Sequence, residues 1–127
     1  MTLPQIAAIV ACAILFGLGA LQALLIAGAP LGRFAWGGQH EVLPRNLRIG
    51  SVVAIGLYVL FALVLLDRSG LLSLVPDPLS GVAAWVLAAY GIVGTGMNAI
   101  SRSLPERYLM TPLTVILTIC FVVVALA

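Results

Sequence analysis

An all-α, four-helix transmembrane bundle, running up-down-up-down, is expected from this sequence on three grounds: composition, the length of the apolar runs and the placement of charge. Of 127 residues, 63% are hydrophobic and 8% are charged, whereas soluble domains carry about 25% charge. The mean hydropathy is +1.24. The apolar residues fall into four runs of ~20, each long enough to cross ~30 Å of hydrocarbon at ~1.5 Å per residue. The charges lie in the links between runs or at their edges, and the length is that of one domain.

The first span should cover residues 3–27. Thr2-Leu3-Pro4-Gln5 has the form of a capping box, with proline in the first turn where its missing N–H costs nothing. This run lacks a basic leading segment and exceeds the ~7–15 residues of a signal-peptide core, so it reads as a retained span. Ala13, Gly17, Gly19 and Ala20 offer a small-residue face for a neighbouring helix. The amide of Gln22 needs partners inside hydrocarbon, which should turn it into the bundle.

Gly28, Pro30 and Gly32 end this span. Phe34 and Trp36, beside Gly37 and Gly38, then have the character of an interfacial segment with rings at headgroup level. Pro44 opens the second span, residues 44–66, with Arg45, Arg48 and Ser51 a turn apart and Tyr58 near mid-span wanting a hydrogen-bond acceptor. Asp67 to Gly70 returns the chain to water. Leu71 to Val75 is too short to cross and should lie along the surface.

Asp77 and Pro78 suit the cap and first turn of the third span, residues 78–100. It carries Trp85 near its start, Tyr90 at mid-depth, small residues at Ala84, Ala88, Gly91 and Gly94, and Asn98 near its end. Ser103 to Glu106 repeats the capping-box form ahead of the fourth span, residues 104–127. Pro112 is expected to kink that span without dividing it, because the part beyond it measures only ~24 Å at helical rise.

Arg33, Arg45 and Arg48 in the first link and Arg102 and Arg107 in the third stand against Arg68 alone in the second. By the positive-inside rule the first and third links are cytoplasmic and both termini lie on the extracytoplasmic side. The net charge of +2 comes without any lysine and forms no basic tail, so nucleic-acid binding has no electrostatic footprint. Cys12 and Cys120 lie in apolar runs without metal-ligand or redox spacing, so no cofactor or metal is expected. Their depths leave a cross-link geometrically open. Gly17-Leu18-Gly19 before Gln22 and Gly94-Thr95-Gly96 before Asn98 echo one another, with too few identities to establish a repeat.

Gln22, Ser51, Asn98 and Thr111 fall in the cytoplasmic half of the spans, beneath Trp36, His40, Glu41, Arg45, Arg48, Arg102 and Glu106. Polar groups are costly at that depth, which motivates a cytoplasm-facing pocket. Its candidate ligand-binding residues are Gln22, Trp36, His40, Glu41, Arg45, Arg48, Asn98 and Arg102. The competing account is that each polar group bonds a neighbouring backbone and that the arginines anchor the protein on anionic lipid headgroups. No carboxylate lies within a span, so the usual relay of a coupled transporter is missing.

Function is therefore read as binding or accessory, with an anionic lipid, a small metabolite, a membrane partner protein or a second copy as the partner. Two alternatives are a small transporter or channel, and a lipid-active enzyme using His40 and Glu41. Adjacent residues need not face one another, and one histidine without a matched nucleophile is thin support for catalysis.

Taken together, Gly28-Ala29-Pro30-Leu31-Gly32, Ala35-Trp36-Gly37-Gly38, Leu43-Pro44 and Leu47-Arg48-Ile49-Gly50-Ser51 form a distinctive signature. A second comprises Met97-Asn98, Ser101-Arg102-Ser103, Glu106-Arg107 and Met110-Thr111-Pro112. On these the chain resembles a group of small four-helix bacterial integral membrane proteins with no assigned activity. The resemblance spans nearly the whole length. It implies the fold and a bacterial cytoplasmic membrane, and brings no substrate, cofactor or catalytic residue.

Overall fold

The computed structural model describes residues 1–127. It contains four helices and no strand: α1 Leu3–Ile26, α2 Arg45–Arg68, α3 Asp77–Ala99 and α4 Leu104–Ala125. Two short 3₁₀ turns, Gly32–Phe34 and Trp36–Gly38, lie in the first link. The observed bounds differ from the expected ones by one or two residues, the ordinary scatter of frayed ends. All four helices are long and apolar enough to cross a membrane.

The helices form a ring in chain order. α1 packs on α2 and α4, and α3 packs closely on α4 but only loosely on α2. Contacts at the ends give the directions. The close of α2 at Gly70 lies near Gln5 at the start of α1. Two residues earlier, the Arg68 guanidinium donates to the carbonyl oxygens of Asp77 and Ala127. The path is thus up-down-up-down, with both chain ends at the Arg68 end.

The buried seam has a period of 3.5 residues. It runs through Ala11, Leu15, Leu18, Gln22 and Leu25 on α1, and through Ser80, Ala84, Leu87 and Gly91 on α3. On α4 it takes in Glu106, Met110, Leu117, Cys120 and Val124. Steps of four and three residues keep one stripe facing the bundle axis, the packing of left-handed four-helix bundles. Phe61 sits at the centre, edge-on to Tyr90 at 5.0 Å and to Phe121 at 6.4 Å. Outside the seam, Phe16, Val53, Val86, Ile92 and Ile119 are among many large apolar residues left exposed. In water that would be an unsustainable apolar surface; in lipid it is the solvent-matched face.

Several local expectations are altered by packing. Ala13, Gly17 and Ala20 point outward, and a Cβ at Gly17 would meet nothing within 4 Å. At Gly19 a Cβ would stand 3.9 Å from Tyr58 Cδ2, an ordinary contact with α2. The close approach belongs instead to α3 and α4. There a Cβ at Gly91 would stand 2.5 Å from Thr118 Oγ1 and 3.1 Å from Phe121 Cδ2. Thr2 and Gln5 complete their capping box with bonds of 3.3 and 3.1 Å.

Ser103 does not complete its box: it is the N-cap of α4, but its side chain makes no cap bond. Its hydroxyl is drawn to the carbonyl of Arg33 instead, and Glu106 accepts from Ser101 Oγ at 2.8 Å. Asp77 is the first residue of α3 rather than its cap, which falls on Pro76. α4 runs unbroken through Pro112. Leu71 to Val75 is irregular and exposed, as a surface segment would be. Cys12 and Cys120 are free thiols.

Candidate functional site

Two features stand out: the end of the bundle where the first and third links meet, and a cleft between the helices beneath it.

The first link is a folded loop. The Gly32 N–H donates to the Glu41 carbonyl at 2.8 Å, which closes residues 32–41 on themselves. A Cβ at Gly32 would overlap the His40 carbonyl oxygen, so the backbone approach itself demands glycine. Trp36, Gly37 and Gly38 follow with φ of 54°, 75° and 70°, a left-handed run that only glycine adopts without strain. The run turns the Trp36 side chain onto α2. There its Nε1 donates to Ser51 Oγ at 3.2 Å, and the six-membered ring lies over Gly50. Leu25, Ala35 and Leu43 form a small core of their own that fastens the loop between α1 and α2. Arg48 completes the fastening, with Nε donating to the Leu43 carbonyl at 2.8 Å and the guanidinium against Gly28.

The third link docks on this loop. Ser103 packs against Gly38, and its hydroxyl bonds the Arg33 carbonyl. The two signatures therefore meet, and Arg33, Arg45, Arg48, Arg102 and Arg107 share one end of the molecule. Of these, Arg33, Arg45 and Arg102 are exposed, while Arg48 and Arg107 are half-buried. Arg33 lies over the Phe34 ring at 5.0 Å and Arg107 over the Tyr108 ring at 5.4 Å. The Glu106 carboxylate at this end is buried and occupied by Ser101.

The cleft, of about 120 Å³, is walled by all four helices. Its lining includes Tyr58 and Phe61 from α2, Tyr90, Gly94 and Asn98 from α3, and Thr118 from α4. Thr118 Oγ1 lies 3.3 Å from Thr95 Oγ1 and donates to the Thr114 carbonyl at 2.7 Å. Gln22 is buried on α1, and its Oε1 has no hydrogen-bond partner. Thr111 Oγ1 is likewise buried and unpartnered.

Six of the eight expected site residues lie at the link end, and Gln22 and Asn98 lie within the bundle. Trp36 and Arg48 are taken up as braces of the loop, Gln22 is buried in the bundle, and Asn98 lines the cleft. His40, Glu41, Arg45 and Arg102 are exposed at the link end. Sequence reasoning did not join Tyr58 and Tyr90 to one cavity, although two mid-span phenols on successive helices were its available signal. Nor did it assign Ser103 the tertiary contact that unites the links. Comparison with protein-family models, with curated proteins and with solved structures found no match.

Proposed function

We propose that this chain is a binding or accessory protein of a bacterial cytoplasmic membrane, both termini outside, whose arginine-bearing end holds anionic lipid headgroups. One observation carries the reading. The contact of Ser103 with Arg33 and Gly38 brings both links together, and five of the six arginines with them. Carboxylate competition there is slight, since Glu106 is turned inward to Ser101 and only Glu41 remains exposed. Exposed guanidinium groups at headgroup level match phosphate in charge and in donor geometry.

Purification of the full chain in native lipid, followed by identification of co-purified lipids, tests this. Phosphatidylglycerol or cardiolipin should be enriched over the bulk membrane. Arg45→Gln with Arg102→Gln should reduce that enrichment several-fold, whereas His40→Ala with Glu41→Ala should leave it unchanged. Equal enrichment with and without the two arginines would overturn the headgroup role. The orientation has its own test, in a background lacking Cys12 and Cys120. Asn46→Cys and Leu104→Cys should both react only with a reagent admitted to the cytoplasm, and labelling from outside would reverse the assignment.

A further inference from the structure

We propose that the interhelical cleft is a binding site for a lipid-soluble quinone, its ring seated among Tyr58, Tyr90 and Asn98 and its alkyl tail leaving sideways into the bilayer. The site is distinct from the arginine-bearing end and does not depend on it.

Four observations converge on this ligand class. The first is the opening. α2 and α3 are the loosest adjoining pair of the ring, and Tyr90, a wall of the cleft at mid-span, is 51% exposed. An opening along that seam leads into hydrocarbon, which selects an occupant that partitions into lipid. The second is size. About 120 Å³ is close to the ~150 Å³ cavity known to accept a benzene ring, and far below the ~300–1,000 Å³ of pockets that enclose a whole drug-sized molecule. One substituted ring fits, with its tail outside.

The third is charge. No carboxylate or guanidinium lines the cleft, so the occupant is neutral. The fourth is hydrogen bonding. The threonine hydroxyls of the α4 wall are engaged with Thr95 and with backbone carbonyls. The Tyr58 and Tyr90 hydroxyls and the Asn98 amide, by contrast, belong to residues that line the cleft, and these groups make no hydrogen bond within the protein. Donors at separated points suit a ring bearing two carbonyl acceptors. Tyr90 and Asn98 are eight residues apart on α3, about 12 Å of backbone rise, so they stand at different depths of the cleft. The Phe61 and Tyr90 rings, already edge to face at 5.0 Å, supply apolar walls for a flat ring.

Such a site calls for a plain equilibrium measurement. The full chain in nanodiscs would be equilibrated with decylubiquinone, and the quinone retained would be compared with that in empty nanodiscs of the same lipid. Retention should exceed the empty-disc value by about one quinone per chain, with a rise in the thermal midpoint. Tyr90→Phe and Asn98→Leu should each weaken it roughly tenfold. Gly94→Val places a side chain in the cleft where nothing stands within 4 Å, so it should fold normally and abolish retention. Gly56→Val, also in open space but outside the cleft, serves as its control and should bind like the parent. Retention equal to empty nanodiscs would overturn the proposal, as would an unaffected Gly94→Val protein. Equal retention of decylbenzene, which has the ring and tail but no carbonyl, would overturn the quinone assignment.

Discussion

Trp36 is the residue on which the first link turns. Its φ of 54° is unfavourable for any side chain, and the fold holds it there through the indole bond to Ser51, a side chain with no solvent exposure, and through contact with Gly50. A Cβ at Gly50 would stand 2.8 Å from Trp36 Cη2, and an indole so fixed cannot yield by a simple rotation. Gly50→Ala should therefore destabilise by about 1–3 kcal/mol through overpacking. Ser51→Ala should cost about 0.5–1.5 kcal/mol through the lost bond. In a Trp85→Phe background both should shift the Trp36 emission maximum, and an unaltered spectrum in both would mean that the indole does not depend on this seat. The sequence placed Trp36 as an interfacial aromatic; that it is anchored to a serine fifteen residues away depends on backbone geometry that no local pattern encodes.

At the scale of elements, glycine has two opposite meanings in these helices. Gly91 lets α3 approach α4, and a methyl group there would meet Thr118 and Phe121 at 2.5 and 3.1 Å. Gly17 on α1 looks outward into open space. Gly91→Ala should thus weaken the bundle by about 1–3 kcal/mol. Gly17→Ala should be neutral or stabilising by up to about 1 kcal/mol through helix propensity. Unfolding of the two variants in mixed micelles, followed by helical circular dichroism, separates them, and equal effects would refute the assignment of faces. Helix number, approximate ends and the Thr2 cap were legible because they depend on local sequence. The packed face of α1 was not, because Ala11, Leu15 and Leu18 inside are no more apolar than Ile9, Val10 and Phe16 outside. The Ser103 box was misread for a related reason, since a tertiary acceptor, the Arg33 carbonyl, won the hydroxyl from the helix end.

For the molecule as a whole, each end of the bundle has its own clasp. The links close one end through Ser103. At the other, Arg68 reaches from the end of α2 to the Asp77 carbonyl and Ser80 hydroxyl of α3 and to the Ala127 carbonyl beyond α4. One planar guanidinium supplies these donors in a fixed fork, which a single ammonium cannot reproduce. Arg68→Lys should therefore lower the thermal midpoint by several degrees and increase amide exchange in the first turn of α3 and the last of α4, while sparing the link end. Exchange that rose equally at both ends would show that Arg68 is no local clasp. The lone arginine outside the charge-rich end had served only to weigh orientation, and its role as a fastener emerges from three chain segments meeting at one point.

The linear order of residues was enough to establish four membrane-length helices, their approximate ends and the clustering of arginines in alternate links. Those properties follow from run length, local turn chemistry and the cost of charge in hydrocarbon. Folding alone decided which face of each helix is inward, that Ser103 joins the two signatures, and that Tyr58, Tyr90 and Asn98 border one cleft. The reason is the solvent: lipid is as apolar as the interior, so hydrophobicity marks a span but cannot orient it, and only shape and hydrogen bonding between helices can.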